Sequence, residues 1–273
     1  MSLRINQNIA AQNAYRNLSV TDGQMTKSLE KLSSGFRINR AADDAAGLSI
    51  SEGLRAQTGG LRVAVRNAQD AISLVQTAEG ALTETHSILQ RMRDLAVQAA
   101  NDGGQSTDSQ AAADAEYQQL ALELDDIANK TTFNGTKLLD GSFSAKNFQV
   151  GATAADTLAV SIGDMKAATI TGGVGNLLTA GAASTAIGAM DTAIKSVSTE
   201  RSNLGATQNR FEHKINNLNV SVENLSASES RIRDTDMAQE MVGYTRSQIL
   251  SQAGTAMLAQ ANQASQSVLS LLR

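Results

Sequence analysis

From Leu61 onward, apolar and small residues recur at every seventh position: Leu61, Ala68, Val75, Leu82, Leu89 and Ala96. A second row, Val65, Ile72, Ala78, Thr85, Met92 and Ala99, interleaves with the first. Steps of three and four residues put both rows on one face of an α-helix, the seam by which long helices pack side by side. The pattern predicts a helix from about Asp44 to Ala100, roughly 85 Å long at 1.5 Å per residue. The cleanest row lies further on, through Ile187, Met190, Ile194, Val197, Arg201, Leu204, Gln208, Phe211, Ile215, Leu218, Val222 and Leu225. Only Arg201 and Gln208 break it, so this helix should be a coiled-coil partner of the first.

Between them the period changes. "NDGGQSTDSQ" (101–110) reads as a turn with Asp108 or Ser109 as the cap of a further helix. That helix should carry Ala113, Tyr117, Leu120, Leu124 and Ile127 on one face and stop before "TTFNGTKLLDG". Asn134–Gly135 predicts a tight hairpin turn, and "FQVGA" and "TLAVSIG" read as short strands. "TGGVGNLLTAGAAS" (171–184) reads as a glycine-rich linker. The ends are helical again but less regular. The first segment offers Ile5, Ile9, Leu18, Met25, Leu29 and Leu32; the last offers Leu250, Ala253, Met257, Ala261, Ala264, Val268 and Leu271, closing on Arg273. The expected fold is mainly α: a long antiparallel coiled-coil helix hairpin or bundle, with a small β-hairpin region inserted mid-chain, at its far tip.

Composition supports that architecture. Hydrophobic residues make up 41% of the 273, but aromatics only 3%, and Pro is absent. A compact globular core usually draws on aromatic area, and the lack of proline removes the commonest interior helix breaker. A net charge of −4 leaves no basic footprint for nucleic acid. The absence of cysteine excludes disulfides and thiolate metal sites. "MSLRINQNIAAQNAYRNLS" lacks the apolar run of a secretory signal, and no stretch has the roughly 20 apolar residues needed for membrane insertion as a spanning helix. Candidate chemistry is thin. His86 and His213 fall within heptad stretches, and Asp43–Asp44 sits where a helix begins, a position that favours carboxylates without any metal. Neither a phosphate loop nor a nucleophile motif occurs. No cofactor or metal is expected, and an enzyme is not.

One long stretch carries more information than any periodicity. "LEKLSSGFRINRAADDAAGLSISEGLRAQ" (29–57) resembles the most recognisable segment of bacterial flagellin. "LQRMRDLAVQAAN" (89–101), "FNGTKLLDG" (133–141), "FQVGA" (148–152) and "QANQASQSVLSLLR" (260–273) resemble the same family, in its order. Hook–filament junction proteins share such terminal helices but tend to place Pro after the acidic pair, where this chain has Ala45-Ala46-Gly47. A type III secreted coiled-coil protein would explain the heptads but not the five ordered blocks.

The resemblance implies an extracellular filament subunit for motility, in a minimal form lacking variable outer domains, exported by the flagellar type III apparatus. It implies residues 1–43 and 231–273 as the two parts of a channel-lining coiled-coil domain. Residues 44–230 would form a helical rod, with the β-hairpin region at about 131–176. Implied partners are other copies of the subunit, an export chaperone, the filament cap and the hook-junction proteins. The assembly interface is expected at Ile5, Ile9, Leu18, Leu250, Met257, Val268, Leu271 and Arg273. Such terminal segments bury little on their own, so they are expected to order on assembly. The family's recognition surface for the host Toll-like receptor for flagellin maps onto Arg91, Leu95 and Glu116, with Asp94 where the family more often has Glu.

Overall fold

The structure is a computed structural model that describes residues 7–270, with side chains described through residue 263. Six helices and four short strands follow in the order α1 (Ile9–Ser34), α2 (Ala45–Ala99), α3 (Thr107–Lys130), β1 (Thr132–Phe133), β2 (Thr136–Lys137), β3 (Lys146–Gln149), β4 (Thr157–Val160), α4 (Ala167–Thr171), α5 (Ala180–Arg233) and α6 (Met237–Ser270). They form two compact units, Gln57–Glu223 and Met1–Ala56 with Asn224–Arg273.

The larger unit is built on the rows read from the sequence. Leu61, Ala68, Val75, Leu82, Leu89 and Ala96 are all buried, and so are Ala78, Thr85, Met92 and Ala99 of the second row. On α5, alternate members of the predicted row (Met190, Val197, Leu204, Phe211 and Leu218) are buried, and those between them are half-buried. Ion pairs along the flanks fix the helices antiparallel: Arg93 to Asp191 at 2.7 Å and Arg201 to Glu79 at 3.7 Å. The hydrogen bond that Arg93 donates to Asp191, together with the carboxylate's charge, raises the Arg93 pKa. α3 lies against the same core through Ala113, Tyr117, Ala121 and Leu124. Its cap is Ser106 and not the expected Asp108 or Ser109; the Ser106 hydroxyl accepts from the Ser109 backbone N–H at 3.2 Å. Burial raises the Tyr117 phenol pKa, with Asp114 adding to it.

The β segment differs in placement from the expectation. Asn134 and Gly135 take φ of 48° and 77°, the left-handed pair of a two-residue hairpin, and join β1 to β2. β3 and β4 pair antiparallel from Lys146–Val160 to Gln149–Thr157. This second hairpin is not at the tip marked by the turn between α2 and α3. It lies where Phe148 meets Phe211 edge to face at 5.8 Å and where the Asn67 side chain donates to the Gln149 carbonyl at 3.1 Å. The chain after α3 runs back along the helices because their flank still has apolar area to cover. The expected glycine-rich linker is also partly structured: α5 begins at Ala180, and Leu177 is fully buried. Carboxylates hold this segment down, with Asp114 accepting from Leu177 N–H at 2.7 Å and Asp125 from Ala167 N–H at 2.8 Å. Nothing in the local sequence distinguishes those aspartates from solvated ones.

In the terminal unit α1 and α6 pack antiparallel. Asn8 donates to the Ala261 carbonyl at 3.0 Å, Ser251 to Asp22 at 3.2 Å, and Lys31 lies 3.8 Å from Glu240. The inward row of α1 is Ala11, Ala14, Leu18, Thr21, Met25, Ser28 and Leu32, a heptad seam. Its counterpart on α6 is Glu240, Tyr244, Ser247, Ser251, Gly254, Leu258 and Ala261. The expected α6 row of Leu250, Ala253 and Met257 is therefore not the seam with α1; those residues point away from it. Small residues take the middle of the inward row (Ser247, Ser251 and Gly254), where the helices approach closely: a Cβ on Gly254 would stand 3.3 Å from Leu18 Cδ1. Leu29, grouped with the α1 row in the sequence, likewise faces outward.

Candidate assembly interface

The turn between α1 and α2 explains the most recognisable stretch of the sequence. Gly35 ends α1 in the left-handed region at φ 76°, its N–H bonded to the Lys31 carbonyl at 2.8 Å. Asp43 then accepts from the backbone N–H groups of Arg40 at 3.0 Å and Asn39 at 3.2 Å. The Arg40 bond is the largest influence holding the Asp43 carboxyl below its ordinary range. Asp44 caps α2, accepting from Gly47 N–H at 2.8 Å. A Cβ at residue 47 would fall 2.4 Å from Asp44 Oδ2 and 2.8 Å from Ile38 Cδ1, so the cap requires glycine there. The acidic pair is thus structural: Asp43 closes the turn and Asp44 starts the helix.

The same turn is clasped to the break between α5 and α6. Arg37 N–H donates to the Arg233 carbonyl at 2.6 Å, and Thr235 N–H to the Gly35 carbonyl at 3.0 Å. The Arg233 guanidinium reaches Glu52 at 2.6 Å and lies 4.9 Å from the centre of the Phe36 ring. Periodicity singled out neither Arg233 nor Phe36, because both lie outside the heptad rows, although Phe36 falls within the recognisable stretch 29–57. The clasp ties the α1–α2 turn to the α5–α6 break within the terminal unit.

The described residues of the terminal unit form almost no core. Among the described residues, Ile38 is its only buried large apolar side chain; Ser28, Ser51 and Ser247 are the other buried side chains. Among the described residues, twelve of the eighteen exposed large hydrophobic side chains belong to it. On α1 they include Ile9, Tyr15, Val20 and Leu29; on α6 Met241, Val242, Ile249, Leu250 and Met257. Met241, Val242, Ile249 and Leu250, with Thr245 and Arg246, line a shallow groove on the side of α6 away from α1. A helix with apolar side chains on both its inward and outward sides is ordinarily covered on both, and an exposed apolar patch marks an interaction surface. α6 has one side covered.

Of the interface residues expected from the sequence, Ile9, Leu250 and Met257 are 54%, 51% and 67% exposed, while Leu18 is half-buried in the seam with α6. Val268 lies in α6 with only its backbone described. Ile5, Leu271 and Arg273 lie outside the described residues.

The expected receptor surface resolves into two parts. Arg91 on α2 and Glu116 on α3 form an exposed ion pair at 2.7 Å. Leu95, one turn from Arg91, is 3% exposed and belongs to the core of the larger unit. It can shape the surface only by holding α2 and α3 in place. Of the histidines, His213 is exposed and His86 half-buried beside Gln90 at 3.0 Å. Among the described residues there is no cluster of metal-ligating side chains and no helix long and apolar enough to cross a membrane.

The chain matches two family models, the bacterial flagellin N-terminal helical region over residues 5–144 and the bacterial flagellin C-terminal helical region over residues 187–272. It is 51% identical to a flagellin of Bacillus subtilis, with 99% of this chain and 100% of that protein covered. It is 53% identical to a flagellin of Halalkalibacterium halodurans, covering 98% and 99% of the two chains. A crystal structure of Bacillus cereus flagellin is 37% identical with a TM-score of 0.50, over 56% of this chain and 88% of that one.

Proposed function

Because the chain belongs to the bacterial flagellin family, matching its models at both ends and its members over nearly their full length, we propose that the uncovered side of its terminal unit is the surface on which copies polymerise. The chain is a structural subunit of the extracellular flagellar filament, which serves motility, and its family is not one of enzymes. The observation that carries the interface is α6, with Tyr244, Ser247, Ser251, Gly254 and Leu258 toward α1 and Met241, Val242, Ile249, Leu250 and Met257 toward solvent. In this reading the neighbouring copies supply the missing faces of α1 and α6, and Ile5, Ile9, Leu18, Leu250, Met257, Val268, Leu271 and Arg273 take part. Residues 1–43 and 231–273 form the inner, channel-lining layer, and 44–230 the rod around it. The near-absence of a core in the terminal unit favours terminal helices that become fully ordered only on assembly.

Deleting residues 261–273 tests this reading. The truncated chain is expected to keep the cooperative unfolding of the Gln57–Glu223 unit and to fail to elongate filament seeds. Filaments of normal length from the truncated protein would refute it.

The export chaperone, filament cap and hook-junction proteins are proposed partners on the strength of the family alone. For the host Toll-like receptor for flagellin, the exposed Arg91–Glu116 pair supports a polar contact with Leu95 acting from beneath. The double variant Arg91→Ala/Glu116→Ala should lower signalling by the monomer in a receptor reporter cell. Equal signalling by variant and wild type would reject that role.

A further inference from the structure

The methionines separate by exposure. Met92, Met165 and Met190, in the larger unit, are 0%, 6% and 0% exposed. Met237, Met241 and Met257, all on α6, are 47%, 49% and 67% exposed. Met25 is half-buried in the seam between α1 and α6. A thioether open to water reacts with peroxide, whereas one enclosed in a packed core is shielded. Met241 borders the apolar groove beside Val242, Ile249 and Leu250, and Met257, exposed two turns beyond Leu250, stands about 160° around α6 from Met241, so the exposed sulfurs are spread over the surface that α1 leaves uncovered.

We propose that Met237, Met241 and Met257 are oxidation sites that together control whether a free subunit can join the filament. The inference rests on the reading that copies cover the outward side of α6. The sulfur lone pair attacks one oxygen of hydrogen peroxide, the O–O bond breaks, an S–O bond forms and water leaves. Sulfur loses the two electrons that reduce the peroxide. Return to the thioether takes two electrons from a dithiol-dependent sulfoxide reductase, and the oxygen departs as water. In the free subunit the new oxygen faces solvent, so helix packing is undisturbed. In a dry interface it is a strong acceptor without a donor, on a side chain that was chosen for apolar contact. One sulfoxide at a buried contact should weaken subunit addition on the order of tenfold. Assembly itself removes the three sulfurs from solvent, so a growing filament protects what a waiting subunit exposes.

Peroxide treatment of monomers and of preformed filaments, followed by peptide mass spectrometry and seeded elongation, tests the proposal. The expected result is sulfoxide at Met237, Met241 and Met257 in the monomer, with Met92, Met165 and Met190 spared. Filaments should oxidise at least several-fold more slowly at the same three sites. Oxidised monomer should show a raised critical concentration that a sulfoxide reductase restores. The variant Met237→Leu/Met241→Leu/Met257→Leu, which keeps apolar volume, should elongate normally before and after peroxide. Met257→Gln should impair elongation without any oxidant. Unimpaired addition of monomer carrying all three sulfoxides would overturn the proposal, as would loss of elongation in the peroxide-treated Leu variant. Hydroxyl-radical footprinting of Ile249 and Leu250 separates the two layers. Protection of those residues in filaments, with oxidised subunits still adding, sinks the oxidation site alone. No protection there removes the assembly reading as well.

Discussion

Leu250→Asn is the substitution that most directly probes the uncovered side of α6. Leu250 is 51% exposed in the single chain, so about half of the roughly 1.5–3 kcal/mol available from burying a leucine is left for a neighbouring copy, near 1 kcal/mol. Asparagine forfeits that contribution and places an amide in the contact, which costs about 1–3 kcal/mol if no partner meets it. The combined penalty of about 2–4 kcal/mol per subunit corresponds to a critical concentration raised about 30-fold or more, at 1.4 kcal/mol per factor of ten. The monomer should hardly notice, because exposed substitutions of this kind stay within about 0.5 kcal/mol. Sedimentation of filaments grown from seeds gives the critical concentration, and circular dichroism melting of the monomer gives the control. An unchanged critical concentration with an unchanged melt would refute the argument. A lowered melt would mean that Leu250 supports the subunit itself.

Glycines 47 and 53 should respond with opposite sign. Gly47→Ala drives a methyl into the Asp44 cap and Ile38 and loses up to about 1–2 kcal/mol of cap stability, seen as faster amide exchange at the start of α2. Gly53→Ala meets nothing within 4 Å and should slow that exchange by the roughly 1 kcal/mol of improved helix propensity; matching effects at both sites would contradict the cap. Phe211→Ala removes a fully buried ring and its edge-to-face contact with Phe148, so urea unfolding should show about 3–5 kcal/mol lost. A loss below about 1 kcal/mol would mean the hairpin β3–β4 does not pack there. Acid should destabilise the chain in a defined sense. The Thr153 hydroxyl on Asp156, the Ser142 hydroxyl on Asp140 and the Arg40 N–H on Asp43 all lower carboxyl pKa values. The unfolded chain therefore takes up those protons first. Their stabilisation is complete above the ordinary aspartate value of about 4 and is lost as pH falls through the lower folded values. Melting temperatures should be flat from pH 7 to about 5 and fall below that, less steeply in Asp156→Asn; a rise on acidification would reverse the sign.

The heptad rows of α2 and α5 were legible in the sequence because their burial depends on period alone. Leu61 to Ala96 and Ile187 to Leu225 share one face by geometry, and any long partner helix buries that face. The Asn134–Gly135 turn was legible for a similar local reason, since few residue pairs accept two left-handed conformations in succession. The five family blocks supplied the filament role and the expected interface by resemblance, and periodicity alone would not have found either. The seam of the terminal unit was decided otherwise. Both sides of α6 are apolar or small, so the sequence offers two candidate rows. Close approach to Leu18 selects the one containing Ser247, Ser251 and Gly254 and turns Leu250 and Met257 outward. Asp114, Asp125, Arg233 and Phe36 likewise gain their roles only where distant segments meet, across separations that no local pattern encodes. Local period determines which residues need covering; tertiary packing determines which of them the chain covers itself and which it leaves for the next copy.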